Sequence, residues 1–364
     1  MNSGRVFIKI SQNNFDVIFE EIDDAAVLKL KKIFPQIKVS ELSDSKYEAL
    51  IKTFDINSLR SLEEDGFISH LKKLINNLDS FPTSMKIGNR IFDFSKQAYI
   101  MGIVNITPDS FYDGGRYFDL EKAKQRIKEC YEEGADMIDI GGESTRPGSI
   151  RISEEEELRR ILPLVEYAKK EFDIPISVDT YKSRVAEECI ALGADLINDV
   201  TGLVGDLRMA EIARKYDIPI VLMHLRGNPR IMQKDIHYQD VVIDVLRSLY
   251  VRIDYAKQIG IKESKIIIDP GIGFGKTVEQ NVELILRLKE LKIFGLPILV
   301  GISRKSFLGK ILDLPVEERL EASLAALVLA VINGANIARV HDIKESVRVA
   351  KLSSFFRNKL YTLK

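Results

Sequence analysis

At 364 residues, 45% of them hydrophobic, the chain can bury a large core and is longer than the roughly 250 residues of a (β/α)8 barrel. Its formal net charge of -1 excludes a global field that would draw it to nucleic acid or an anionic membrane, so an anionic substrate would need a local cluster of cations. Cys130 and Cys189 are its two cysteines and neither sits in a CxxC pair, which argues against a disulfide framework or a structural zinc site.

In chain order, the opening MNSGRVFIKI has no long apolar stretch and predicts no secretory signal. The apolar segment from Leu324 to Ile332 is too short to cross a bilayer. Both point to a soluble, cytoplasmic protein. Residues 1–84 read as a small α/β N-terminal extension of unknown role, with a strand over Arg5–Ile10 and helices over Ala25–Phe34 and Ser69–Leu78. Residues 85–364 read as the main domain. It opens with a hairpin from Lys86 to Phe92 around Gly88-Asn89, suited to plugging the bottom of a barrel.

Beyond the hairpin, short apolar runs alternate with amphipathic helices. The runs are Ile100–Val104, Met137–Ile140, Ile174–Val178, Leu196–Ile197, Ile218–Met223, Ile266–Ile268, Leu296–Val300 and Ile337–Val340. Such runs suit strands buried on both faces of a parallel sheet. Gly134-Ala135-Asp136, Gly193-Ala194-Asp195 and Gly334-Ala335-Asn336 share one helix-stop pattern, and Ser153 with Glu156 predicts a capping box. Pro175, Pro219 and Pro297 stand at strand entrances. Eight alternations predict a (β/α)8 TIM barrel. A doubly wound sheet would carry a GxGxxG turn after its first strand, and none follows here.

Polar residues gather where these runs end, which is the chemical end of such a barrel. The first run leads into Asn105-Ile-Thr-Pro-Asp-Ser-Phe-Tyr-Asp-Gly-Gly, and the second into Asp139-Ile-Gly-Gly-Glu-Ser-Thr-Arg-Pro-Gly. The third and fourth end at Asp179-Thr180 and Asn198-Asp199, and the fifth at Met223-His224. The last three end in Asp269-Pro-Gly-Ile-Gly-Phe-Gly-Lys, Gly301-Ile-Ser-Arg-Lys-Ser and Arg339-Val-His-Asp. Two acids and an amide on separate strand ends can satisfy the edge of a nitrogen heterocycle. Arg339 and His341, two apart on one strand, place two potential cations on one face.

In this order and on these strand ends the strings resemble the dihydropteroate synthases over about residues 86–355. The resemblance implies transfer of a pterinylmethyl group from a diphosphate to 4-aminobenzoate. It implies that Asp179, Asn198, Asp269 and Lys305 hold the pterin, with Met223, Phe274 and Gly301 against it. Arg339 and His341 would grip the diphosphate, Thr145 would bind the pterin diphosphate, and Asn105 would be the protein ligand of a Mg2+ ion. Phe111, Arg146, Pro147, Phe274 and Ser306 would shape the 4-aminobenzoate pocket, while Asp113 would support the developing cation. Asp113, Arg146, Lys305, Arg339 and His341 are therefore the expected catalytic set, and a homodimer is expected. Two other readings share part of the pattern: a pterin-binding barrel that passes a folate methyl group to a corrinoid protein, and a silent pterin-binding protein. The first would have no use for Lys305, the Arg339–His341 pair or the Thr145-Arg146 loop.

Other signals read as structural. Gly275-Lys276-Thr277 imitates the end of a phosphate loop, but Pro270 stands where that motif needs glycine. Glu154–Glu157 is a solvated first helical turn, and His70 and His237 are surface or packing residues.

Overall fold

A computed structural model of the chain describes residues 4–11, 14–43, 46–51, 66–106, 116–144, 149, 151–227 and 236–362. Contacts divide it into two units, Met1–Phe81 with Lys289–Gly295, and Pro82–Leu288 with Leu296–Lys364.

The first unit is built on an antiparallel sheet of β1 (Arg5–Ser11), β2 (Asn14–Ile22), β3 (Lys38–Ser43) and β4 (Lys46–Ile51), in the order β1-β2-β4-β3. Its α-helices among the described residues are Asp24–Ile33 and Gly66–Asp79. The sequence reading located the first strand and both helices but not β2, β3 or β4. The β2 sequence NFDVIFEEI is rich in acids, and β3, at the sheet edge, is largely polar. Such strands are fixed by their partners more than by local preference. Asp23 caps the first helix by accepting from the Ala26 amide at 2.9 Å. Lys289–Gly295 joins this unit through Asn77 Nδ2 to Ile293 O (2.8 Å) and Ile10 N to Glu290 Oε1 (2.9 Å).

In the second unit all eight expected runs form strands. They are β7 (Tyr99–Asn105), β8 (Met137–Gly141), β9 (Ile176–Asp179), β10 (Leu196–Asp199), β11 (Ile220–Met223), β12 (Ile266–Asp269), β13 (Leu299–Val300) and β14 (Ile337–Val340). They pair in parallel in the order β12-β11-β10-β9-β8-β7-β14-β13. A parallel bridge between Ile268 and Ile298 closes the barrel. Nearly every strand residue is buried, so no in–out alternation shows in the sequence. Each proline before a strand gives its carbonyl to a neighbour: Pro175 to Ile138 N, Pro219 to Ile197 N and Pro297 to Ile268 N. The glycines of the repeated helix stop, Gly134, Gly193 and Gly334, have φ of +91°, +100° and +114°, which a side chain would resist. Ser153 caps the helix Glu154–Glu171 through the Glu156 amide. The expected reciprocal bond is absent among the described residues, because the Glu156 carboxylate is taken by Arg159 and Arg160.

A hairpin of β5 (Met85–Ile87) and β6 (Arg90–Phe92) packs into one end of the barrel. Met85, Ile87, Phe92 and Phe94 share a core with Tyr99, Met101, Met137, Leu196, Val221, Ile267, Leu299 and Ile337, residues from seven strands. That apolar layer fixes which residue of each strand faces the axis.

Candidate active site

Counting two residues on from the apolar layer keeps to the inner face of each strand. The next layer is then Ile103, Asp139, Asn198, Met223, Asp269, Gly301 and Arg339. Across the hydrogen-bonded ladder Asn105 pairs with Gly141, Gly141 with Asp179, and Asp179 with Asn198, so these residues are lateral neighbours on the rim. The inward polar set, Asn105, Asp139, Asp179, Asn198, Asp269 and Arg339, comes from six strands, and the barrel brings it to one end.

Arg339 lies at the centre of this set. Its Nε donates to Asp139 Oδ2 at 2.6 Å and its Nη2 to Asp179 Oδ2 at 2.7 Å. The guanidinium is thus already paired with two buried carboxylates. Burial raises the Asp179 carboxyl despite Arg339 beside it, and Asp139 adds to the rise. His341, two residues on, is pushed down to about 4 by burial and by the Arg339 charge. It is therefore neutral at pH 7, an N–H donor where the sequence suggested a second cation. Its Nδ1 lies 3.1 Å from Ser303 Oγ.

On the far side, Asp269 accepts from the Gly271 amide at 2.7 Å. Burial lifts its carboxyl to about 6, against that hydrogen bond and the charge of Lys305. Lys305 Nζ stands 4.2 Å from the centre of the Phe274 ring, and Phe274 packs on a cluster of Val200, Met223 and Leu225. A Cβ on Gly273, whose φ is +85°, would come within 2.9 Å of Lys305 Cδ, so glycine is what lets the turn pass under the lysine. Gly301 faces open space, with nothing within 4 Å of where a Cβ would stand, which leaves room for a flat ligand. Ser306, exposed, begins the helix Ser306–Leu312 directly after Lys305. Phe111, Asp113, Thr145, Arg146 and Pro147 lie outside the described residues.

Three features escaped the sequence reading. Asp139, wholly buried, accepts from Arg339, Ser177 Oγ (2.5 Å) and Asn198 Nδ2 (3.1 Å). Its inward register was readable, but its donors sit on three other strands. Glu143 braces the rim, accepting from Lys182 Nζ (2.6 Å), Tyr181 OH (3.0 Å) and Ile152 N (3.2 Å). Lys182 also binds the buried Glu157, so that acidic run is not entirely solvated. Lys276 is buried under the Asp269–Phe274 turn and donates to Gly271 O (2.9 Å) and Phe274 O (3.0 Å), with His224 Nδ1 at 3.1 Å. Thr277 caps the helix Val278–Leu286 in a complete capping box with Gln280.

Burial holds a proton on Asp269 below about pH 6, so any heterocycle that donates an N–H to it should bind more tightly as pH rises from 5 to 7. Titration calorimetry across that range should show the rise, and Asp269→Asn should flatten it.

A curated dihydropteroate synthase of Clostridium beijerinckii is 48% identical over 270 residues, covering 74% of this chain and 98% of the relative. Residues 101–341 match the family of pterin binding enzymes. The chain belongs to the dihydropteroate synthase family. Among solved dihydropteroate synthases, the Clostridium difficile protein determined with pteroic acid has a TM-score of 0.69 and 45% identity, covering 73% of this chain and 98% of that one. The Xanthomonas albilineans enzyme determined with 4-aminobenzoic acid has a TM-score of 0.71 and 40% identity, covering 76% and 98%. The family match begins at β7 and ends at His341, so it spans every inward polar residue described above.

Proposed function

We infer that the chain transfers a dihydropterin-6-ylmethyl group from its diphosphate to the amine of 4-aminobenzoate, giving 7,8-dihydropteroate and pyrophosphate. The observation that carries this reading is the single polar layer in which Asp179, Asn198, Asp269 and Arg339 meet. Relatives of that name, determined with pteroic acid and with 4-aminobenzoic acid, support it.

In the reaction the methylene C–O bond breaks, a C–N bond forms, and the amine gives up a proton. Asp179, Asn198 and Asp269 hold the heterocycle by its donors and acceptors, and Lys305 offsets the charge of Asp269. Arg339, fixed by two carboxylates, lends positive potential beneath the departing diphosphate. Neutral His341 donates an N–H to a phosphate oxygen. The pterin ring delocalises charge left on the methylene, so departure runs ahead of attack and no strong general base is needed. Phe111, Arg146, Pro147, Phe274 and Ser306 shape the arylamine pocket, Thr145 contacts the pterin diphosphate, and Asp113 supports the developing cation.

Mg2+, when bound, would neutralise charge on the diphosphate. Among the described residues no group of three or more His, Cys, Asp or Glu is placed to hold a metal. A half-buried amide, Asn105 at the end of β7, fits a cation carried mainly by phosphate oxygens and water.

Incubation with dihydropterin diphosphate, Mg2+ and 4-aminobenzoate should release pyrophosphate only when both substrates are present; no release would end this reading. Lys305→Ala should weaken pterin binding about 10- to 100-fold, the worth of a hydrogen bond to a charged group. Unchanged binding in a fluorescence titration would remove Lys305 from the site.

The enzyme is a homodimer on this proposal, paired through the helix Ile343–Thr362. Leu352, Phe355, Phe356 and Leu360 on that helix are each at least 50% exposed, an apolar face that suits a partner. Sedimentation should show Phe356→Glu shifted toward monomer. No described helix is long and apolar enough to cross a membrane. Both cysteines are free and buried, as suits the reducing cytoplasm proposed here.

A further inference from the structure

We infer that Asp139 sets the hydrogen-bond polarity of the pterin site: by holding the amino end of the Asn198 amide it turns the amide oxygen toward the ligand, and so selects an exocyclic amino group over an oxo group. The inference rests on the pterin reading above. Asp139 has no exposed surface, so it acts through its neighbours as a positioning residue. Its three donors come from three strands: Ser177 Oγ on β9 at 2.5 Å, Asn198 Nδ2 on β10 at 3.1 Å and Arg339 Nε on β14 at 2.6 Å.

An ion-paired carboxylate only accepts, so only the NH2 end of Asn198 can face it. That settles which way a side-chain amide points, a choice otherwise nearly symmetric in shape. The Asn198 oxygen has no donor among the described residues and is not sealed from solvent. It is left as an acceptor on the inner layer, beside Asp179 in register. A pterin carries an amino donor on its pyrimidine ring, and the 2-oxo counterpart presents an acceptor at the same place. Two acceptors facing each other in a buried site leave both unsatisfied, which is the strong form of discrimination available to a polar pocket.

Replacing Asp139 with leucine removes the acceptor and keeps most of the volume. Asp139→Asn does not remove it: Arg339 Nε and Asn198 Nδ2 both donate to the same oxygen, Oδ2, so an amide oxygen there serves both, while the new NH2 faces the Ser177 hydroxyl, which can accept. In Asp139→Leu nothing holds the Asn198 NH2 away from the ligand, and the amide can turn to suit either compound.

The test compares 6-hydroxymethylpterin with its 2-oxo counterpart by calorimetry. The unaltered protein should prefer the amino compound, Asp139→Leu should lower that preference at least tenfold, and Asp139→Asn should keep it. Ser177→Ala, which leaves the carboxylate in place, should keep it. If Asp139→Leu weakens both compounds equally and the ratio stays within twofold, Asp139 is merely structural and the inference fails. Should that variant not fold, the unaltered protein still decides. In its side-chain amide NMR signal, identified by its loss in Asn198→Asp, one Asn198 proton should exchange at least tenfold more slowly than the other. Equal exchange of both overturns the proposal. Failure of the unaltered protein to bind either compound would instead remove the pterin reading itself, and this inference with it.

Discussion

Replacing Arg339 with methionine should destabilise the protein by roughly 3–5 kcal/mol, the usual cost of removing one partner from a buried ion pair. The substitution leaves Asp139 and Asp179, both buried, without the guanidinium that lies 2.6 and 2.7 Å from them. The loss should be smaller at pH 5 than at pH 8. Asp179 already has a raised carboxyl pKa in the fold, and removing the cation raises it further. A carboxyl raised in the fold contributes stability that is present below the unfolded value, about 3.9, and is lost as pH rises through the folded value. Urea melts of the variant and its parent at the two pH values measure the difference. Equal deficits would mean that Arg339 and Asp179 are not coupled. Catalysis should fall about a thousandfold in kcat/KM, since in the proposed reaction the same side chain orders the polar layer and supplies potential under the leaving group.

Lys276→Met is expected to be the next most damaging change, at about 3 kcal/mol. An ammonium has three N–H donors, and the structure supplies three acceptors: Gly271 O, Phe274 O and His224 Nδ1. Methionine fills the space but leaves all three without a donor in a site closed to water. Burial pulls Lys276 down to about 7, with Asp269 opposing, and the same burial with Lys276 alongside drives His224 well below its ordinary value. His224 is therefore the acceptor and the lysine the donor. Because the lost bonds hold the turn that presents Phe274 to Lys305, the variant should also raise the KM for 4-aminobenzoate about tenfold. A variant with lowered melting temperature and unchanged KM would show that the turn keeps its shape without the lysine.

Much of the site was legible because a barrel strand has a period of two and its chemical end is known in advance. Asp179, Asn198 and Asp269 could be placed on one rim from their positions at the ends of apolar runs. The first unit was less legible: β2 and β4 are joined by pairings such as Phe19 with Ala49, which no local pattern announces. The acid run Glu154–Glu157 read as solvent-facing, yet Glu157 turns inward to Lys182, because helical geometry sends one residue of four toward the barrel.

The sequence by itself determined the eight-strand barrel, the end of it that carries chemistry and the residue types gathered there, since all three follow from local periodicity and turn residues. Only the tertiary structure decided which of those groups are paired. Arg339 meets Asp139 and Asp179 across 200 and 160 positions of chain. The reason is barrel closure: it sets β14 against β7 and brings side chains from distant strands to one axis, where burial, more than residue type, decides that His341 is neutral and that the carboxyls hold their protons longer.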